Sequence, residues 1–167
     1  RPWHAGVATA DFSVDWSTAI IAGDLRESTD TSMTPSEQVR LRRVVTENVA
    51  GQTEVGSDPA SPLVLLGDSH NLVFHAGGDM HATGAGLPDQ LAFELGYPVD
   101  VVAVRGSGAT AARVNLLRRA QRDPSYWTGK RLVVWCFSVR EFTEGDGWAL
   151  VTVTPLATWM AWARCDT

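Results

Sequence analysis

The stretch LVLLGDSHNLVFH, Leu63 to His75, decides how the rest of the chain is read. Four apolar residues, 63–66, make a short continuous run of the kind that fills a strand buried on both faces. The run stops abruptly at Gly67-Asp68-Ser69-His70, where small and polar residues replace apolar ones. A buried strand that ends in Gly-Asp-Ser-His is either an ordinary polar turn or a strand-to-helix turn that presents a serine outward. In the second case the backbone N–H groups of the turn aim at whatever sits above it.

Two more segments match the first. VDVVAV (99–104) and RLVVWCFSV (131–139) are again nearly all apolar. Between them lie two helical patterns. GLPDQLAFELG spaces Leu87, Leu91 and Leu95 four apart and ends on Gly96. GSGATAARVNLLRRAQR opens on glycines and continues with an arginine-rich outer face. Strand-helix-strand-helix-strand with continuously apolar strands predicts an α/β fold: a mostly parallel central sheet, helices on both faces and right-handed crossovers. The three strands are expected to be adjacent and buried, and WALVTV (148–153) reads as a fourth.

Before residue 62 the reading is less direct. STAIIAGDL holds a short strand or helix. TPSEQVRLRRVVTENVAG predicts a helix: Thr34 caps it, Pro35 fits its first position, and Glu37 completes a capping box. Leu41, Val44, Val45 and Val49 then share one face, and Gly51 stops it. QTEVGSDPAS is a polar loop.

Size and composition bound the functional classes. The 167 residues suit one domain, 1–167, with a real core. A net charge of −5 and the absence of any basic run speak against nucleic-acid binding. No apolar run approaches the roughly 18 residues that a membrane helix needs. Seven tryptophans serve a core, or a surface for a flat ligand such as a sugar ring. Cys136 lies in an apolar run and reads as a buried free thiol; pairing with Cys165 is left open. The chain opens on Arg-Pro-Trp without an initiator methionine and reads as a processed product or an N-terminally shortened piece. Oligomeric state is not legible.

In parallel sheets, ligands bind beyond the carboxyl ends of the strands. Three segments arrive there: GDSHN, RGSG and SVREFTEGDGW. Ser69 is the candidate nucleophile. A serine hydroxyl needs exposure, a base and N–H donors for the developing oxyanion. His70, His75 and His81 fall within twelve residues of it, and Asp79-Met80-His81 gives an Asp-x-His spacing that lets one carboxylate orient an imidazole. Asp79 and His81 are therefore the first candidates for the base. Zinc held by His70, His75, Asp79 and His81 is a weaker alternative, since the spacing fits no metal motif; neither metal nor cofactor is expected. VAVRGSGATAA also has the shape of a dinucleotide fingerprint. Against that, no acidic residue stands about twenty positions on at the end of a strand. Gly106 and Gly108 then serve close approach to Ser69 and supply an oxyanion donor, while Asp68 and Asn71 in the turn are candidates for lining the oxyanion or substrate site. Arg140 and Glu141, at the mouth of the third strand, either bind substrate or pair with each other.

Taken together, VLLGDSHN, GAGLPDQLAFELGYPVDVVAVRGSGA and KRLVVWCFSVREFTEGDGW resemble three blocks of the SGNH-hydrolase superfamily, and more closely its alginate O-acetyltransferase-like branch. The resemblance covers about Gly23 to Trp148. It implies a flavodoxin-like three-layer α/β/α sandwich and serine-dependent O-acyl transfer, or ester hydrolysis, on a carbohydrate. Partners would be an acyl donor and a polysaccharide acceptor, in the periplasm or outside the cell. The alternative from another class is a non-catalytic carbohydrate-binding or assembly module on the same fold. Two departures matter. No Asp-x-x-His block follows near the C-terminus, and upstream of Ser69 the only histidine is His4, with Pro2 where the branch carries its Asp; either the upstream motif lies outside this stretch, or Asp79 and His81 replace it, or the domain is inactive. The Asn of the superfamily's ordinary third block is also missing, which weakens the oxyanion argument.

Overall fold

The computed structural model describes residues 7, 9–22, 36–48, 51–106, 108–143 and 150–152. They form two three-stranded sheets and three helices. The first sheet is antiparallel, with strands β1 (Phe12–Ala22), β2 (Ser36–Asn48) and β3 (Gly51–Glu54) in that order. The second is parallel, with strands β4 (Leu63–Gly67), β5 (Asp100–Ala103) and β6 (Leu132–Cys136) in the order β5-β4-β6. Helices α1 (Leu87–Leu95) and α2 (Ala109–Arg122) connect the parallel strands, and a short α3 (Arg140–Thr143) follows β6.

The three apolar runs thus fold as parallel neighbours, with the GDS-bearing strand in the middle. β4 is buried along its whole length. Alternation divides its side chains between two cores. Val64 and Leu66 pack with Val102 and with Ala112 and Leu116 of α2. Leu63 and Leu65 pack with Val99 and Val101 and with Leu91 and Leu95 of α1. α1 begins after Gly86, whose N–H donates to the Asp89 carboxylate at 2.9 Å, and ends at Gly96 in the left-handed conformation (φ +79°). Glycine fits there because it lacks the Cβ that makes this conformation costly.

One strand departs from the expected burial. Leu132 and Val133 of β6 are more than two-fifths exposed, because β6 is an edge strand among the described residues. The expected fourth strand lies mostly outside the described residues, and 150–152 are irregular.

The largest correction concerns the segment read as a helix from Thr34 to Gly51. Residues 36–48 are a β-strand, paired with β1 from Ser36 to Thr46. Leu41 and Val45 point to one face of β2 and Val44 to the other, and all three are buried. Burial on both faces produces the 41, 44, 45 spacing of a helix stripe. The β-branched Val39, Val44, Val45 and Thr46 favour the strand. Glu37 pairs with Ile21 across the ladder, Gly51 opens β3, and Thr34, Pro35 and Val49 lie outside the described residues. STAIIA belongs to β1.

The antiparallel sheet docks against α1 and the loop before it. The Val44 N–H donates to Gly84 O at 2.7 Å, and Gln90 Nε2 to Arg42 O at 2.9 Å. The Arg42 guanidinium lies over the Phe93 ring, while Val44, Val55 and Ala92 form a third small core. At the opposite, amino end of the parallel sheet, fully buried Asp100 accepts from Arg119 Nη1 (2.5 Å), Tyr126 Oη (2.6 Å) and Lys130 Nζ (2.7 Å).

Candidate functional site

The order β5-β4-β6 means that the chain leaves β4 toward one neighbour and later crosses to the other. Such a reversal opens a crevice beyond the carboxyl ends of the strands. Ser69 stands at that edge, half-buried, in the first position of a single 3₁₀ turn, Ser69–Asn71.

The turn is stitched to the end of β6. Buried Asp68 caps it: its Oδ1 accepts the His70 N–H at 3.0 Å, and its Oδ2 accepts the Ser138 N–H at 2.7 Å. Asn71 Nδ2 donates to Cys136 O at 2.8 Å. Gly67 must be glycine here, since a Cβ would overlap both Asn71 Nδ2 and Cys136 O. Asp68 and Asn71 were expected to face substrate. They lie buried, at 4% and 1% exposure, and hold the turn in place. Asn71 Oδ1 has no hydrogen-bond partner among the described residues.

Ser69 Oγ makes no hydrogen bond among the described residues. The expected partners lie as follows. Exposed Asp79 pairs with Arg105 at 2.5 Å rather than with His81. His81 adopts a positive φ of 73° and sits 6.0 Å, ring to ring, from Phe74, itself at φ 58°. His75 Nδ1 lies 3.0 Å from each oxygen of fully buried Asp89. That pair ties the loop after Ser69 to the start of α1, and Gly86 leaves room for it, since a Cβ there would crowd Val73 O and His75. His70 Nδ1 lies 3.1 Å from Asp68 Oδ1, with the His70 side chain 65% exposed. Residues that meet across fourteen positions, as His75 and Asp89 do, carry no spacing signal in the sequence beyond Asp89 standing at the third helical position. His4 lies outside the described residues.

Gly106 is exposed at φ +63° with open space around it. Gly108 precedes α2 and lies against the Glu141 carboxylate, which a Cβ at Gly108 would overlap. Glu141 thus brings a negative charge to the amino end of α2, where a dinucleotide pyrophosphate would lie in the fingerprint reading. That placement works against nucleotide binding. Arg140 is exposed at the start of α3. Cys136 is a free thiol and half-buried, while Cys165 lies outside the described residues.

Among the described residues, no group of three or more His, Cys, Asp or Glu side chains could hold a metal ion, and no helix is long and apolar enough to cross a membrane. Comparisons with protein-family models, with curated proteins and with solved structures return no match.

Proposed function

We propose that the chain carries out serine-dependent O-acyl transfer, or ester hydrolysis, on a carbohydrate, with Ser69 as the nucleophile. The observation that carries this reading is the build of the Ser69 turn. A half-buried serine, its hydroxyl engaged with no described residue, stands at the carboxyl end of the central parallel strand. Two buried polar side chains, Asp68 and Asn71, brace its backbone from either side. The resemblance of the GDSHN, RGSGA and SVRE blocks to the SGNH hydrolases points the same way. It implies their three-layer α/β/α architecture and action on a polysaccharide outside the cytoplasm.

In this reading Ser69 Oγ attacks the acyl carbonyl as an imidazole takes its proton. The N–H groups of Ser69 and of Gly106 or Gly108 hold the oxyanion. The acyl group then passes to a sugar hydroxyl or to water, and exclusion of water from the pocket selects between them. The test is incubation with p-nitrophenyl acetate followed by peptide mass mapping. An acetyl group on Ser69, absent from Ser69→Ala, is expected. Equal labelling of the Ser69→Ala protein rules the mechanism out.

A second reading rests on Trp16. This side chain is 52% exposed on β1, with the Arg40 guanidinium 4.3 Å from its ring centre, and aromatic faces of this kind stack on sugar rings. A non-catalytic carbohydrate-binding module predicts sugar binding that survives Ser69→Ala and is lost in Trp16→Ala, with no turnover in either.

A further inference from the structure

We propose that His70, oriented by Asp68, is the imidazole that moves the proton in this site. The assignment rests on the acyl-transfer reading above and goes beyond it by naming the base and its positioning residue.

The three described histidines differ in what holds them and in what they can reach. His81 has no carboxylate partner among the described residues, and Asp79 is taken by Arg105. His75 has one, but its side chain is only 14% exposed and is locked between the loop and α1. His70 combines both requirements. Its Nδ1 lies 3.1 Å from Asp68 Oδ1, and its side chain is 65% exposed. Asp68 is itself immobile: it is buried, and both its oxygens accept backbone N–H groups, from His70 at 3.0 Å and Ser138 at 2.7 Å. A carboxylate that already accepts from two donors offers its lone pairs, so the His70 ring places its proton on Nδ1. Nε2 then carries the free lone pair and points away from the brace. Orientation of an imidazole by a buried carboxylate is the arrangement that fixes the tautomer of a general base.

Ser69 and His70 are consecutive in a tight turn, and their side chains make no hydrogen bond. In this assignment the proton that leaves Ser69 Oγ as its bond to the acyl carbon forms is relayed to Nε2 through one water. His70 returns that proton to the donor's departing alkoxide as the old ester bond breaks. In the second half it takes a proton from the acceptor hydroxyl and restores it to Ser69. No proton is gained or lost over the cycle.

Two measurements on the full chain test this. Long-range ¹H–¹⁵N spectra of the imidazoles, with His70 identified by its loss in His70→Gln, are expected to show Nδ1–H and a bare Nε2. Asp68→Asn is expected to relax that preference. A dominant Nε2–H tautomer, or one indifferent to Asp68→Asn, overturns the orientation argument. Second, the rate of Ser69 acetylation by p-nitrophenyl acetate is expected to drop at least about 100-fold in His70→Gln, the range a positioned general base supplies. His70 is exposed, so the variant keeps its fold, which near-ultraviolet circular dichroism checks. If wild-type protein takes up acetyl on Ser69 and His70→Gln does so equally fast, the assignment fails alone. A wild-type protein never acetylated on Ser69 removes the acyl-transfer reading and this assignment with it.

Discussion

The Asn71 side chain donates to the Cys136 carbonyl at 2.8 Å, tying the turn that follows the central strand to the end of its neighbour. That contact runs directly over Gly67, where a Cβ would overlap both groups. Gly67→Ala is therefore expected to force the two strand ends apart and to destabilise the protein by about 1–3 kcal/mol, the usual range for overpacking. Urea unfolding should show a lower midpoint with an unchanged slope. In an Asn71→Ala background the same substitution should cost less, since one of the two overlapping groups is gone. Strict additivity would show that the contact does not constrain Gly67.

Asp100 makes a second prediction, at the far end of the sheet. Its carboxylate is fully buried and meets Arg119, Tyr126 and Lys130. Removing it leaves the ammonium of Lys130, itself 4% exposed, without its ion-pair partner and held by the carbonyls of Pro59 and Ser61. Arg119 is more open and can turn to solvent. Asp100→Ala should thus cost about 3–5 kcal/mol, the penalty for breaking a buried pair from one side. Asp100→Ala combined with Lys130→Met should be less damaging than Asp100→Ala alone. Thermal unfolding of the two variants gives the comparison, and a double variant that melts lower than the single one contradicts it.

Much of the parallel sheet was legible in the sequence, and the reason is burial. LVLLG, DVVA and LVVWC belong to one sheet whose central strand is covered on both faces, so the apolar runs are continuous and visible. Leu87, Leu91, Leu95 and the stop at Gly96 mark α1 in the same direct way. β2 was misread because its inner half is also covered on both faces, and Leu41, Val44 and Val45 then imitate a helix stripe. The strand's true partner, β1, is fixed by a pairing that no local pattern records.

At the site, the Gly-Asp-Ser turn and its place beyond a buried strand were legible. The roles of its neighbours were not. Asp79 next to His81 suggests a pair by spacing, but Arg105, twenty-six residues on, claims the carboxylate. Glu141 reads as a substrate ligand or half of a local pair with Arg140, and the fold also sets its carboxylate against Gly108 on another loop. Each of these contacts is made through the fold, between residues that the chain keeps far apart.

The His75–Asp89 contact carries a third prediction. Asp89 is fully buried, accepts the Gly86 N–H at 2.9 Å and lies 3.0 Å from His75 Nδ1. Asp89→Ala removes two side-chain attachments of the loop 72–86 to α1. Loss of a buried hydrogen-bonded carboxylate should cost about 1–3 kcal/mol. The sharper readout is local: amide exchange in 72–86 and the first turn of α1 should accelerate more than exchange in β4 and β5. Uniform acceleration across the chain would mean that the pair does not anchor this loop in particular.

The chain's two tyrosines give the last prediction, one of pH dependence. Burial pushes the Tyr97 phenol above its ordinary value of 10.0. Burial raises Tyr126 strongly, and its hydrogen bond to Asp100 and the negative charge there raise it further. A phenol whose folded value lies above its unfolded one favours the folded state fully below the unfolded value, and that contribution is lost as pH climbs beyond it. Stability should therefore fall as pH rises above 10.0, where the unfolded chain releases phenolic protons that the native chain retains. Tyrosinate absorbance near 295 nm should rise late and steeply in native protein, together with loss of near-ultraviolet dichroism. In concentrated urea it should rise smoothly around the ordinary value. Tyr126→Phe should leave one delayed phenol, that of Tyr97, and flatten the alkaline loss of stability. Superimposable native and urea titrations would show that neither hydroxyl is protected by the fold.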